Sequence, residues 1–298
     1  MGKSIFLVCL FFLLITFSSN VLTAQINEEQ KKELKPVRNT FESIWLIGNQ
    51  TVEVPFEGSF EWDIQHRFGT INNGYDDYYG LAAPSNIRLG FNYVPFNQLQ
   101  VGFGITKQRK VWDFSLKYAF LKQKKGGGTP VSMTYLVTAG IDSRDIDFKE
   151  TTDRFSYFHQ LMIARKFSNR ISLQLSPSIS YFNFPDQFEN NEGVILGLEN
   201  IHYAISALGK VGISDITSII FNIDIPLTTH EIQNLDVDVD PKANLSLGFE
   251  FAAGSHAFQL FVSNYNSIVP QYNHVLNQNE FNRDGILIGF NITRIWNF

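Results

Sequence analysis

The chain has 298 residues and a formal net charge of −5, and only 18% of its residues are charged. This acidic balance argues against a nucleic-acid partner, because such proteins carry a basic face. The length suits one or two soluble domains or a single barrel. Composition does not choose between them, so the pattern of side chains along the chain must decide.

The first 24 residues have the form of a secretory signal peptide. Lys3 precedes an apolar run over residues 5–17, and small or polar residues then lead to Ala24. This order predicts cleavage after Ala24, and the run is too short for a lasting membrane helix. The only cysteine, Cys9, lies in this segment. The mature chain would therefore have no thiol for disulfides, catalysis or metal binding.

Residues 25–57 are predicted to form a periplasmic leader in front of the main domain. Within it, residues 41–55 contain two apolar runs that flank Gly48 and Asn49, a pair typical of a hairpin turn. This segment could enter a barrel as a plug, with Trp45 as its anchor. It could equally pack as a strand against the rim of the barrel.

Residues 58–298 contain about twelve amphipathic segments, each about 9–13 residues long. In the segment from Ile171 to Tyr181, for example, Ser or Gln occupies most alternate positions and apolar residues occupy most of the others. Alternation with a period of two is a strand signal. The length suits a strand that crosses a bilayer at barrel tilt. No helical period separates the segments, which argues against a parallel α/β fold.

The connections between these strands alternate between short and long. The short ones are residues 95–98, 123–129, 168–170, 214–215 and 254–255, and the long ones are 70–85, 143–154, 185–200, 227–243 and 266–285. The turn near Arg109 is the one short connection on the side of the barrel that carries the long connections. Short periplasmic turns and long extracellular loops are typical of outer-membrane barrels. We therefore predict an all-β fold, a transmembrane antiparallel up-and-down barrel in the outer membrane of a Gram-negative bacterium. A secreted β-sandwich with an aromatic core is the alternative.

In such a barrel the polar row of each strand faces the lumen and the apolar row faces lipid. The predicted lumen-lining residues are Glu61, Asp63, Arg67, Arg88, Lys117, Asp224 and Glu250. The predicted aromatic girdle at the periplasmic ends consists of Tyr93, Phe120, Phe167, Trp296 and Phe298. Because the lumen carries both signs of charge, it could form internal salt bridges or a charge-selective pore.

Two other groups of residues suggest chemistry. Asp236, Asp238 and Asp240 alternate in a long loop and could bind a hard cation such as calcium, although a solvated acidic loop is the more ordinary interpretation. His159 on the lipid-facing row suggests a lipid hydrolase, but Ser156 would point to the opposite face. We therefore expect no catalytic residue, no cofactor and no enzyme activity.

Three motifs carry a family resemblance: Gln-His-Arg-Phe-Gly-Thr at residues 65–70, His-Gln-Leu-Met-Ile-Ala-Arg-Lys-Phe-Ser at 159–168, and Ser-Leu-Gln-Leu-Ser-Pro at 172–177. With them the chain resembles a Bacteroidetes-type family of outer-membrane β-barrels classed as a domain of unknown function. The resemblance covers nearly all of the mature chain. It implies a barrel and an outer-membrane location, but no substrate.

The terminal segment 286–298 also resembles the closing strand of bacterial outer-membrane barrels. That likeness implies outer-membrane lipid and the barrel-assembly machinery as partners. Arg294 interrupts the apolar row of this strand. If the row faces lipid, Arg294 should lie near the periplasmic interface, where its side chain can reach headgroups.

The functions expected from these features are three. The first is a narrow channel for a small polar solute. The second is a structural or docking barrel with a closed lumen, whose loops or leader bind partners. The third, with the least support, is a lipid-facing hydrolase.

Overall fold

The computed structural model describes residues 35–126, 128–146, 148–189, 193–230 and 239–297. The predictions for the signal peptide, Asp236, Asp238 and Phe298 lie outside these residues. Within the described ranges no helix is long and apolar enough to span a membrane.

Twelve antiparallel strands form a closed barrel. Two short strands come first, β1 (Trp45–Leu46) and β2 (Asn49–Gln50), and they pair only with each other. The barrel strands are β3 (Ser59–Thr70), β4 (Asn86–Phe96), β5 (Leu99–Thr106), β6 (Val111–Leu121), β7 (Ser132–Asp142), β8 (Phe155–Lys166), β9 (Ile171–Phe182), β12 (Ile201–Gly212), β13 (Thr217–Pro226), β14 (Asn244–Ala253), β15 (His256–Ser263) and β16 (Leu287–Asn297). Between β9 and β12 lies a small hairpin of β10 (Gln187–Glu189) and β11 (Ile195–Gly197), and between β15 and β16 lies a helix, α1 (Pro270–Leu276).

Strand β16 closes the barrel by pairing with β3, where Asn291 lies opposite Gln65. Closure leaves the barrel without a free edge, so its backbone groups can pair without water. The prediction of a closed antiparallel barrel of about twelve strands is confirmed. The described residues do not form the two stacked sheets of a sandwich.

The apolar row of the strands lies on the outside of the barrel. On β6, Phe114 is 46% exposed and Leu116 is 48% exposed, whereas Lys117 is fully buried. Comparable large apolar side chains are exposed around the barrel, from Phe91 to Phe258. A soluble protein rarely exposes an apolar surface of this extent, whereas a bilayer covers it.

The strand connections define two rims. Among the described residues, the short-turn rim carries residues 97–98, 122–126, 128–131, 167–170, 213–216 and 254–255. The long-loop rim carries residues 71–85, 107–110, 143–146, 148–154, 183–189, 193–200, 227–230, 239–243 and 264–286. Tyr93, Phe120 and Phe167 lie exposed at strand ends of the short-turn rim. Trp296 is partly buried beside Phe60, at 5.7 Å between ring centroids.

Arg294 lies on the outer face near the same rim. It is exposed, and its guanidinium carbon is 4.6 Å from the centre of the Trp296 ring. This position lets the cation extend toward headgroups while its stem lies on apolar surface. Arg294 therefore does not face a protein core, as the lipid-facing assignment of this row required.

The long loops contain structure that the alternation in the sequence did not predict. Helix α1 and the β10–β11 hairpin both lie in these loops. Helix α1 is buried from Pro270 to Val275. Because polar and apolar positions of this helix are buried alike, it lacks the alternation of a buried and a solvent-facing side by which short helices are recognised.

The outer face can be tested on one strand. Leu116→Arg, at the middle of β6, should destabilise the barrel in lipid by about 2–4 kcal/mol, because the charge would lie near the bilayer centre. The control, Phe120→Arg, is on the same face of β6 at the short-turn rim and should cost about 0–1 kcal/mol. Urea unfolding from lipid vesicles measures both costs. Equal costs would contradict a bilayer around this face.

Candidate functional site: the filled lumen

The structure places residues 40–54, here called the plug, inside the barrel. Trp45 is 3% exposed, and Leu46 and Ile47 are fully buried. The chain passes the short-turn rim on its way in, where the Lys166 Nζ donates to the carbonyl oxygens of Arg38 at 3.2 Å and Asn39 at 2.8 Å. The sequence left two placements open for this segment, and the lumen is the one observed.

Two glutamines on different walls hold the plug by its backbone. On β15, Gln259 accepts from the Ile47 N–H at 3.0 Å and donates to the Trp45 carbonyl at 2.8 Å. On β9, Gln174 accepts from the Val52 N–H at 2.7 Å and donates to the Gln50 carbonyl at 2.9 Å.

Each glutamine thus pairs with the N–H of one plug residue and the carbonyl two residues earlier. A neighbouring β-strand would offer the same pair of groups. The β1–β2 hairpin has no strand on either side, so its outer edges would otherwise carry unpaired buried groups. The two amide side chains, here called the glutamine clamps, satisfy those edges.

The tip of the plug is strained and strongly held. Ile47 has a φ of 56°, a left-handed conformation that costs a residue with a Cβ about 1–2 kcal/mol. Its carbonyl accepts from Arg67 at 3.0 Å and from Asn291 at 2.8 Å. With Gln259 on the N–H, three barrel side chains fix this one residue.

The hairpin turn lies one residue earlier than predicted. Leu46 pairs with Asn49, so Ile47 and Gly48 form the turn instead of Gly48 and Asn49. Two contacts explain the shift. A Cβ at Gly48 would overlap the Tyr265 ring. The side chain of Asn49 is needed for the barrel wall, where its Nδ2 donates to Asn222 at 2.9 Å and to Asp224 at 2.7 Å.

A second segment, residues 264–277 with helix α1, fills the lumen from the long-loop rim. The Tyr265 hydroxyl accepts from Ser246 at 2.9 Å, and burial together with the nearby Asp224 raises its pKa, so it stays protonated. His274 Nε2 lies 3.6 Å from Asp224. Asp224 therefore contacts both the plug and the loop segment, and joins the two halves of the filling.

Apolar side chains add a socket for the plug. Inward-facing Phe158, Met162, Leu208, Ile220 and Phe261 are almost fully buried and cluster with the plug residues Phe41, Leu46, Ile47 and Val52. An open aqueous pore would expose these barrel side chains to water at a cost of about 25 cal/mol per Å². The apolar lining therefore favours a lumen in which the plug covers these side chains.

The wall formed by β3 to β6 carries a charged network of its own. Arg88 donates to Asp63 at 2.9 Å and makes two bonds to Asp113, at 2.9 Å and 2.7 Å. Gly90 and Gly104 allow the guanidinium to lie against this wall, because a Cβ at either position would overlap it. The Trp45 ring of the plug covers its other side, with a centroid distance of 5.1 Å.

All seven residues predicted to line the lumen are at most 4% exposed in the structure. Arg67, Arg88, Asp224 and Glu250 contact the plug directly or at its edge. Asp63 belongs to the Arg88 network. Lys117 Nζ and Glu61 Oε1 are buried with no hydrogen-bond partner among the described residues. The lumen in this state is filled, not an open pore.

Several functional residues were not singled out from the sequence. Asp113 lies on the same inward row as Lys117, so the alternation of β6 already contained the signal. Lys210 forms an ion pair with Glu42 of the plug. Gln174 and Gln259 were visible only as polar positions of their strands, because nothing in the local sequence shows what an inward amide will meet.

A partly open cavity of about 210 Å³ lies at the long-loop rim, lined in part by Tyr272 and Val275 of helix α1. Two arginines of its lining are paired with aspartates. Arg109 donates to Asp186 at 2.9 Å, and Arg144 donates to Asp142 at 2.6 Å and 3.0 Å. The hydrogen bonds from Arg144 to the Asp142 carboxylate raise the pKa of the Arg144 guanidinium. Since these charges satisfy one another, the cavity is nearly neutral.

The remaining candidates are dispersed. Asp240 accepts from the His230 backbone N–H at 2.5 Å. His159 is on the outer face beside the Tyr135 hydroxyl, at 3.0 Å, whereas Ser156 is buried inside. The described residues contain no group of three or more metal-ligating side chains.

The comparisons with known proteins agree with this architecture. A family model described as "Membrane bound beta barrel domain (DUF5777)" matches residues 41–296. The chain belongs to this family. The match starts at the plug, so the plug and the barrel are parts of one family domain, and the domain is membrane-bound. No curated protein matches the chain in sequence.

Among solved structures, the chain is similar to the NanC porin, with a TM-score of 0.51, 6% identity, and coverage of 80% of this chain and 99% of that one. An outer membrane channel from Pseudomonas putida F1 gives a TM-score of 0.49 at 9% identity, covering 82% and 97%. Salmonella typhi OmpF gives 0.42 at 6% identity, covering 80% and 97%. At these identities the likeness to the NanC porin shows the fold alone.

The glutamine clamps make a prediction about the plug. In Gln174→Met and Gln259→Met, a plug N–H and a carbonyl lose their partners, at about 1–3 kcal/mol for each buried group. Amide exchange of the plug, measured by mass spectrometry on peptides covering residues 41–55, should accelerate about tenfold or more. Gln100→Met is the control, because Gln100 is equally buried but donates to Asn92 on the β3–β6 wall. Similar acceleration in all three variants would contradict the clamps.

Proposed function

We propose that this protein is an outer-membrane barrel whose plug closes a passage for a small polar solute, and that the passage opens when the plug withdraws. The observation that carries the proposal is a hairpin of the chain's own N-terminal part, held in the lumen by hydrogen bonds to inward polar side chains as well as by the apolar socket. The predicted signal peptide supports export, and the lipid-facing row supports a bilayer location.

Three features support a plug that can leave. Ile47 stores strain at the tip, which its release would relieve. The hydrogen bonds of the clamps can be replaced by water once the lumen is wet, and each is worth only about 0.5–1.5 kcal/mol net. The β3–β6 wall keeps the Arg88 network whether or not the plug is present, because Asp63 and Asp113 satisfy it from within the barrel.

A passage exposed in this way would be polar along one side. Buried Lys117 and Glu61 lie on the β3–β6 wall without hydrogen-bond partners among the described residues. Buried charges are costly when they are incompletely paired. Water or a polar solute would give these groups partners in the open state.

A second function is favoured by the apolar socket. Phe158, Met162, Leu208, Ile220 and Phe261 would be poor lining for an aqueous pathway. They support the alternative of a permanently closed barrel that acts as a structural or docking protein through its loops.

The lipid hydrolase has less support than either, since His159 and Ser156 lie on opposite faces. We infer that the protein is not an enzyme. In this interpretation, His159→Ala leaves the lipid composition of the membrane unchanged. Insertion by the barrel-assembly machinery stays a prediction from the terminal strand.

Planar-bilayer conductance separates the two main candidates. The mature protein should be silent or open rarely, because the plug fills the lumen. Deletion of residues 40–54 should give sustained ion current. The double variant Gln174→Met/Gln259→Met keeps the whole chain and should open more often than the wild type. Folding of each variant is checked by its β-sheet circular dichroism and heat-modifiable gel mobility.

A cross-link provides the matched control. The mature chain should have no cysteine, so Asn49→Cys/Asn222→Cys, a contacting pair, can be joined by a short bis-maleimide. The joined protein should stay silent under urea or voltage that opens the single variant Asn222→Cys treated with the same reagent. If folded deletion and double variants carry no current, the passage is disproved and the closed barrel is the better assignment.

A further inference from the structure

Six cations surround an open cleft of about 990 Å³ at the short-turn rim. We call it the basic cleft, and its charged lining consists of Lys35, Arg38, Lys124, Lys125, Arg165 and Lys166. No carboxylate is among the described residues that line it. A one-signed lining of this kind is unusual in a chain whose net charge is −5.

Backbone pairing brings these cations together from three segments. Pro36 bridges Lys124, and the Lys125 N–H donates to the Lys35 carbonyl at 3.0 Å. Gln123 ties this pair to the end of β8, since it donates to the Lys166 carbonyl at 3.0 Å and accepts from its N–H at 2.8 Å. Like charges held close together repel, so the arrangement favours an anion in the cleft.

The nearest carboxylates serve the plug instead. Glu42 forms its ion pair with the buried Lys210. Glu53 Oε1 accepts from the backbone N–H groups of Thr40 at 2.6 Å and Phe41 at 3.3 Å. Neither carboxylate lines the cleft, which therefore remains cationic.

The cleft opens where the lipid-facing surface ends. Phe167 lines the cleft and is 51% exposed as part of the aromatic girdle. Arg165 lies on the outward row of β8, with its guanidinium carbon 5.2 Å from the centre of the Phe167 ring. Its Nε is buried and has no hydrogen-bond partner among the described residues. An aromatic girdle lies at headgroup level, which places these cations beside lipid phosphates.

We propose that the basic cleft binds the phosphate-bearing headgroup of an anionic glycerophospholipid. Arginine offers a planar fork of donors to phosphate oxygens, and lysines supply point charges. The acyl chains would lie along the apolar outer face beside Phe167. This site depends on the bilayer location of the barrel and not on whether the lumen conducts.

The test measures lipid retention by native mass spectrometry on the full mature protein, purified in a neutral detergent. Phosphatidylglycerol should remain bound, and phosphatidylcholine should bind much more weakly. In Lys124→Ala/Lys125→Ala the affinity for phosphatidylglycerol should fall about tenfold or more. Arg165→Gln should also weaken binding.

Two matched controls make the result specific. Lys107→Ala/Lys110→Ala removes two lysines from a turn of the opposite rim, and Arg294→Gln removes an outward arginine that lies over an aromatic ring near the same rim as the cleft but does not line it. Both should leave binding unchanged. Equal losses in the test and control variants would overturn the site in favour of general electrostatic attraction.

Two other outcomes would also overturn the proposal. Inorganic phosphate that binds as tightly as phosphatidylglycerol would identify a soluble anion as the ligand. Lipid binding that occurs only after removal of residues 25–34, which carry three glutamates and two lysines, would identify the chain's own N-terminal segment as the occupant. Conductance does not enter any of these measurements, so failure here leaves the plug proposal standing.

Discussion

The filled lumen depends on one kind of interaction, the pairing of inward amide side chains with the backbone of the plug. A two-stranded hairpin is marginal by itself and has two unpaired edges. Gln174 and Gln259 complete those edges from separate strands, in the pattern that a neighbouring strand would use. Side chains of the barrel wall thus take the place of neighbouring strands for the hairpin, and the other residues that fill the lumen pack around it.

Around the clamps, apolar contacts retain the plug in the lumen and polar contacts fix its register. The apolar socket holds Leu46 and Val52 by burial, which depends little on direction. The hydrogen bonds to Ile47 and Asn49 fix the register, because a shift by one residue would leave each of them unpaired. Strain at Ile47 works against this retention. A plug of this kind is well placed but is not bound by packing alone.

The barrel wall divides into two parts with different roles. The barrel strands from β7 to β16 present most of the groups that contact the plug, and Arg67 of β3 adds a hydrogen bond to the Ile47 carbonyl. The β3–β6 wall pairs its charges largely within itself, with Arg88 between Asp63 and Asp113. At the short-turn rim, Lys166 belongs both to the basic cleft and to the entry of the plug, through its bonds to Arg38 and Asn39. The lipid site and the plug are therefore neighbours that share one cation.

The sequence by itself determined the barrel, because alternation fixes which residues face lipid and which face inward. It placed Lys117 on the inner row and Leu116 on the outer row without any knowledge of their partners. It also located the hairpin, but misplaced its turn by one residue, since the contact between Gly48 and Tyr265 joins positions far apart in the chain. Only the tertiary structure decided that the hairpin enters the lumen and that helix α1 meets it there. Those outcomes depend on amides from different strands reaching the same backbone, and an alternating pattern records the direction of a side chain but not what lies opposite it.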